Sequence, residues 1–582
     1  MDNRLDPAET ERLLGFGPER RKTRKELCFI CFAALIIVCI VIGSISVWAS
    51  LSYVDSGKRN VILMISDGFG PTSETFARNY KQYVNKLEYN YVTPLDEILV
   101  GSSRTRSFDS LITDSAAGAT AFSCGIKTYN GAIGVNPKKE PCGNILESAK
   151  YLGLATGLVV TSRITDATPA SFSAHVIHRN MESDIAVQQI GDNPLGRQVD
   201  LIIGGGRCFF LPNHTAGSCR IDERDLVVES KKRGFKFFST RKEFDDLEPG
   251  KNNLPLLGLF TLDDMSYEID RDPAQEPSLK EMSEKALKLL ESATANSDKG
   301  FFLMIEGSKI DVAAHINDPA THVHEILAYH DTISFVKKYV DEHPGTVMIS
   351  VSDHETGGLS LARQVTSEYP EYLWYPEPLT RVKNSSYVLS QLLLNYWQED
   401  RTEYIKGVIR SGLGIEDFED YAISWLNKNH TQMEYEIFLA NMTSFKAQIG
   451  WATHGHSAVD VNLYAHGQNT EVLRGNHENT DIGDFITEYL NLDLDFITLK
   501  LNKNNNTFHQ ATDSTHFHVD KFNHHHGIIE QMIILKAYFS YYRRSRGKYL
   551  MSLRPMNQVN LSFLHGKNKN SKFENLFQTS LL

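Results

Sequence analysis

Residues 60–66 (NVILMIS) form an unbroken apolar run that stops at Asp67-Gly68-Phe69-Gly70. A strand without polar alternation needs cover on both faces, the condition of a strand inside a parallel sheet. The pattern recurs. Residues 155–160 (ATGLVV) lead to Ser162, Arg163, Asp166 and Thr168; 300–305 (GFFLMI) to Glu306-Gly307-Ser308; 347–351 (VMISV) to Ser352-Asp353-His354. Further strands are expected at 201–206 (LIIGGG), 234–238, 257–262 and 459–465, and helices at 169–179 and 281–290. Strands alternating with helices give an α/β fold, a three-layer sandwich with a mainly parallel central sheet. Ligands bind at the carboxyl ends of such strands, where this chain places its carboxylates.

One segment departs from the strand pattern. LITDSAAGATAFSCG (111–125) runs from a loop into small, helix-favouring residues, with Ser115 at the junction. Unpaired N–H groups and the positive end of the helix dipole favour a phosphate there, which suits a nucleophile that must hold a phosphoryl group. Taken alone, TDS reads as a Ser N-cap on an ordinary helix. Its neighbours change that reading. Asp311 and His315, at i and i+4, share one helix face, and WATHGHS (451–457) adds His454 and His456. Carboxylates, hydroxyls and imidazoles in this mixture suit zinc and magnesium rather than a thiolate site. A serine among such cations needs no separate histidine base, since a metal lowers the pKa of a hydroxyl directly.

The N-terminus assigns a compartment. Residues 27–48 are apolar and uncharged, long enough as a helix to cross a bilayer, and follow the basic Arg20, Arg21, Lys22, Arg24 and Lys25. The positive-inside bias leaves residues 1–26 as a cytosolic tail and puts the rest in a lumen, with 27–48 as a signal-anchor. A cleaved signal peptide fits less well, because the run is long and no good cleavage site follows. Four of the seven cysteines lie beyond this segment. They allow three pairings, of which the sequence-nearest joins Cys124 to Cys142 and Cys208 to Cys219. Sequons at Asn213, Asn384, Asn429, Asn441, Asn505 and Asn560 are usable only in that lumen. In the tail, Glu9 with Leu13-Leu14 resembles an acidic dileucine signal read by adaptor complexes. The formal charge of −12 gives no sign of nucleic-acid binding.

Residues 56–490 read as one lumenal domain with a helical insertion at about 361–450. Residues 491–582 are rich in Asn, His and Lys, lack the alternation, and read as a low-order or removable extension rather than a metal-binding tail.

The segment DSAAGAT (114–120), with the residues above in the same order, resembles the alkaline phosphatases, most of all the membrane-anchored vacuolar members of yeasts. The resemblance implies hydrolysis of small phosphomonoesters at alkaline pH through a phosphoserine on Ser115 and a vacuolar membrane location; a broad substrate range is expected because the site so described grips phosphate and names no residue that reads the alcohol. It implies two Zn2+ and one Mg2+ per chain. Asp311, His315 and His456 match the first zinc's ligands; Asp67, Asp353 and His354 the second's, with Asp67 bridging to magnesium; Asp166, Thr168 and Glu306 the magnesium's. Arg179 matches the guanidinium that grips phosphate, and a homodimer is implied. Counting back from Asp460-Val461 favours His456 over His454 as the ligand. Position 312, a Lys or His in some members, is valine here, which bears on pH optimum and product affinity.

Two other readings compete. A sulfatase needs a C/S-x-P-x-R setting, whereas Ser115 precedes Ala-Ala-Gly-Ala; related pyrophosphatases use Thr and lack the set Asp166, Thr168 and Glu306. A catalytically silent binding ectodomain would show a lost ligand, yet every expected position is filled.

Overall fold

The computed structural model describes residues 57–250 and 253–503. The cytosolic tail, the expected anchor at 27–48, the dileucine, the sequons at Asn505 and Asn560 and the extension from 504 lie outside these residues. Among those described, no helix is long and apolar enough to cross a membrane.

The ten strands of the main sheet are β1 (Asn60–Ser66), β2 (Leu99–Arg104), β3 (Ala155–Arg163), β4 (Leu201–Gly205), β5 (Lys236–Phe238), β6 (Leu256–Leu259), β7 (Phe301–Gly307), β8 (Thr346–Val351), β11 (Val461–Gly467) and β12 (Gly475–Glu478). Two short strands, β9 (Glu355–Thr356) and β10 (His456–Ser457), pair separately. The sheet order is β12-β2-β11-β8-β1-β7-β3-β4-β6-β5. Among the described strands of this sheet, only β11 runs antiparallel to its neighbours. The mainly parallel sheet expected from the apolar runs is therefore present.

Strand β1 shows how the layers arise. Its side chains alternate between two cores: Ile62 and Met64 face one, Val61, Leu63 and Ile65 the other, all fully buried. The first core takes helices Leu279–Thr294 and Pro319–Glu342, and the second takes Ile145–Tyr151 and Asn479–Leu490. Each such side chain contributes about 1.5–3 kcal/mol by burial, so a one-residue slip of β1 would exchange the two sets between faces and cost many kcal/mol.

Some sequence expectations shift. The helix expected at 169–179 is only Ala167–Ser171. Ser171 and Ser173 turn their hydroxyls back onto the carbonyls of Ala167 and Pro169, and Val176 leaves to pair with Ile133 in an antiparallel bridge. Strands β2 and β12 carry no apolar run and were not anticipated. Residues 361–450 hold helices, including Ser386–Asn395 and Gln432–Ala447, that pack on the Pro319–Glu342 core. The fold continues past 490 into a helix at Leu494–Asn502, tied to the Ile145–Tyr151 region by Asp493 N–H donating to Ser148 Oγ and Gly143 N–H to Thr498 Oγ1. Cys124 is bonded to Cys142 and Cys208 to Cys219.

Candidate active site

Three central strands bring their ends together. In register, β1 lies between β7 and β8, with Ile65 opposite Glu306 on one side and Val351 on the other. Asp67 follows β1, Glu306 is the penultimate residue of β7, and Asp353 and His354 follow β8. Strand β3 sets Val160 opposite Glu306 and runs on to Arg163. Asp166 then caps the helix that carries Thr168.

Ser115 arrives by another route. It is the first residue of a helix, α1 (Ser115–Cys124), reached from β2 by a loop, so it does not sit at a strand end. The N-cap is Asp114, whose carboxylate accepts from Ala117 N–H at 3.0 Å. Gly118, one turn on, lies against Asp353: a Cβ there would come 2.9 Å from the Asp353 Cβ. This close approach brings Ser115 Oγ to 3.1 Å from His354 Nε2.

A second helix, α2 (Lys309–His315), carries Asp311 and His315. His315 Nε2 lies 3.2 Å from Asp311 Oδ2 and 3.2 Å from His456 Nε2. All three imidazoles are oriented through Nδ1: His315 toward the His454 carbonyl at 2.5 Å, His456 toward the Thr113 carbonyl at 2.7 Å, and His354 toward Thr356 Oγ1 at 3.2 Å. Nε2 is thereby turned inward on each, as in metal-binding histidines. His454 instead points Nδ1 at the His315 carbonyl, 2.7 Å away, and serves as a brace for His315. Nothing in the sequence signalled that role, nor that of Thr356, whose hydroxyl donates to Asp311 Oδ1 at 2.5 Å.

Among the described residues, two groups of side chains place candidate ligand atoms within 4.8 Å of one another: Asp67, Asp353 and His354, and Asp311, His354 and His456. Four buried atoms beside them have no hydrogen-bond partner: Asp67 Oδ1, Asp353 Oδ2, Glu306 Oε2 and Thr168 Oγ1. Burying such atoms unpaired costs about 1–3 kcal/mol each, more when charged, so the chain has left them for something else. Burial, and then the carboxylates of Asp353, Asp311, Glu306 and Asp166, push Asp67 well above the usual carboxylate range. Burial and the Asp166 charge do the same to Glu306. Hard oxygen donors and imidazole nitrogens crowded in this way fit divalent cations.

Arg179 is half-buried between two carboxylates. Its Nη2 donates to Asp166 Oδ1 at 3.0 Å and its Nη1 to Asp114 Oδ2 at 3.4 Å. Burial would raise the pKa of Asp166, but Arg179 and Arg163 outweigh it and hold the group ionised. Val312 lies on α2 next to Asp311, so that position places no charge in the site.

A cluster of candidate metal ligands at the ends of parallel strands, with a serine at a helix N-terminus and an arginine held by the carboxylate that caps that helix, fits a metal-dependent hydrolase acting on phosphate esters. The comparisons with known proteins agree. Residues 58–492 match the family model described as Alkaline phosphatase. The chain is 44% identical to the repressible alkaline phosphatase of Saccharomyces cerevisiae, over 84% of its own length and 93% of that protein's. It is 47% identical to an alkaline phosphatase of Schizosaccharomyces pombe, over 84% and 92%. The crystal structure of Thermus thermophilus alkaline phosphatase superposes with a TM-score of 0.64 at 28% identity, covering 75% of this chain and 92% of that one. The chain belongs to the alkaline phosphatase family, and its activity is metal-dependent hydrolysis of phosphomonoesters.

Proposed function

We propose that Ser115 is the nucleophile of a two-step transfer. Its Oγ attacks phosphorus in line with the departing alcohol, which leaves with a proton; water then attacks the phosphoserine, releasing inorganic phosphate and restoring the hydroxyl. Arg179 grips two equatorial oxygens with its planar fork, and the N-terminus of α1 faces the same charge. Asp311, His315 and His456 would hold one Zn2+, Asp67, Asp353 and His354 the other, and Asp166, Thr168 and Glu306, with Asp67 shared, one Mg2+. When bound, these cations favour ionised hydroxyl and water at alkaline pH and offset the charge of the transferring group. No residue of the assembled site is committed to reading the alcohol, which supports a broad range of small monoesters.

The observation that carries this reading is the set of four buried oxygens on Asp67, Asp353, Glu306 and Thr168 that make no hydrogen bond, Asp353 Oδ2 having only His354 Nε2 3.1 Å away. The test is hydrolysis of a chromogenic monoester by the full-length chain, with and without chelator, beside Ser115→Ala. Activity abolished by chelator, restored by zinc plus magnesium and absent in a metal-loaded Ser115→Ala variant supports it. Undiminished turnover by that variant rules it out.

The finer setting belongs to the same proposal: a single-pass protein anchored by 27–48, with the folded part in the lumen of a vacuole and the dileucine at Glu9, Leu13 and Leu14 read by an adaptor. The two bonded cysteine pairs and the exposed asparagines of the sequons at 213, 429 and 441 support a lumenal, glycosylated domain. Assembly as a homodimer rests on family membership.

A further inference from the structure

Two guanidinium groups share the carboxylate of Asp166. Its Oδ1 accepts from Ala167 N–H at 2.8 Å and Arg179 Nη2 at 3.0 Å, and lies 3.7 Å from Nη2 of Arg163. Arg163 closes β3, and its other nitrogens are tied down. Nε donates to Glu182 Oε2 at 2.9 Å, Nη1 to Asp264 Oδ1 at 2.9 Å and Asp263 Oδ1 at 3.2 Å, and the backbone N–H to Asp264 Oδ1 at 2.9 Å. Glu182 is held in turn by Thr165, whose hydroxyl donates at 2.6 Å. The one edge of Arg163 left to face the site is the edge toward Asp166.

The carboxylate of Asp166 competes with phosphate for the charge and the Nη2 donors of Arg179. Charge supplied to Asp166 from the other side weakens that competition. We infer that Arg163 is a positioning residue for phosphate binding: by sharing Asp166 it frees the Arg179 fork for the phosphoryl oxygens. Loss of Arg163 leaves Asp166 to Arg179 alone and removes a positive charge near the phosphate, and both effects weaken binding. The inference rests on the reading of Arg179 given above.

The test compares Arg163→Gln and Arg163→Lys in the metal-loaded, full-length protein, reading KM and kcat for a chromogenic monoester, bound metal by mass spectrometry, and the Kd of inorganic phosphate by calorimetry. For Arg163→Gln, KM and the phosphate Kd should rise together by roughly tenfold, the lower end for a residue acting through another, with kcat and metal content nearly unchanged. Arg163→Lys, which keeps a charge there, should recover most of the affinity. A phosphate Kd unchanged in Arg163→Gln overturns the inference, as does equal loss of kcat and metal in both variants, the mark of a merely structural arginine. If Arg163→Gln does not fold, Asp264→Ala, which removes the acceptor that anchors Arg163, must weaken phosphate in the same KM-dominated way, and an unchanged Kd there is equally fatal. Arg179→Ala is the control. Should it leave phosphate binding intact, the reading of the site fails and takes this inference with it.

Discussion

Asp114 and Arg179 face each other across 3.4 Å, and the same Asp114 carboxylate caps the helix that begins at Ser115. The proposed nucleophile and the proposed phosphate grip are therefore fixed to one side chain. Its Oδ2 also accepts from Gly131 N–H at 2.9 Å. Asparagine can still accept from Ala117 N–H, whereas alanine cannot. Asp114→Ala should therefore be less stable than Asp114→Asn by about 1 kcal/mol, the usual worth of an N-cap, in equilibrium urea unfolding of the metal-loaded protein. Equal stability of the two would mean the cap contributes nothing.

Gly118 carries a sharper prediction. Within a helix, Gly to Ala ordinarily gains about 1 kcal/mol. Here the new Cβ would meet the Asp353 Cβ at 2.9 Å, closer than carbons pack, and both belong to the elements that set Ser115 against His354. Gly118→Ala should keep the fold and lower kcat by on the order of tenfold or more, since sub-ångström displacement of a nucleophile is costly. Circular dichroism alongside steady-state kinetics checks it; full activity would show that α1 can move aside freely.

Metal removal should loosen the same region. Without cations, Asp67, Glu306, Asp311 and Asp353 remain buried, with the atoms on three of them unpaired. Chelation should lower the melting temperature by roughly 5–10 °C, as expected for losing ligands bound far above their Kd. Re-addition of zinc and magnesium should restore it, read by differential scanning fluorimetry. A melting curve indifferent to chelator would contradict the burial argument.

Part of the candidate site was legible because Asp67, Glu306, Asp353 and His354 stand at the ends of β1, β7 and β8, unbroken hydrophobic runs against which a polar residue stands out. Strands β2 (LVGSSR) and β12 (GNHE) were not legible, because β12 is the edge strand and β2 lies next to it, and their half-exposed positions need no apolar residue. The overlong helix at 169–179 failed for a local reason, the competition of Ser171 and Ser173 hydroxyls with the helix ladder. Supporting roles were also hidden. Thr113 acts through its backbone carbonyl, which any residue could supply, so its side-chain identity carries no trace of the part it plays, and the ring of His454 braces His315 from a segment 139 residues away. Arg163 was visible in the sequence, but the partners that give it meaning, Glu182 and Asp264, come from distant segments.

Glu325 offers a pH test away from the cations. It is buried on helix Pro319–Glu342, where one carboxylate oxygen accepts from Glu268 N–H at 2.6 Å. The charged groups facing it are Lys309, Glu268 and Asp270. Burial pushes its pKa from 4.5 up to about 7, against the opposing pull of Lys309 and the Glu268 N–H. A carboxyl whose folded pKa is raised stabilises the fold fully below its unfolded pKa and loses that contribution as pH rises through the folded value. Between pH 4.5 and 7 the native chain should therefore lose stability relative to Glu325→Gln, by about 3 kcal/mol at most for a shift of that size. Above pH 7 the difference should level off. Urea unfolding of both proteins across pH 5–8 gives the comparison. Parallel curves would show that Glu325 ionises in the folded protein as easily as in the unfolded one, so that its burial exerts no effect.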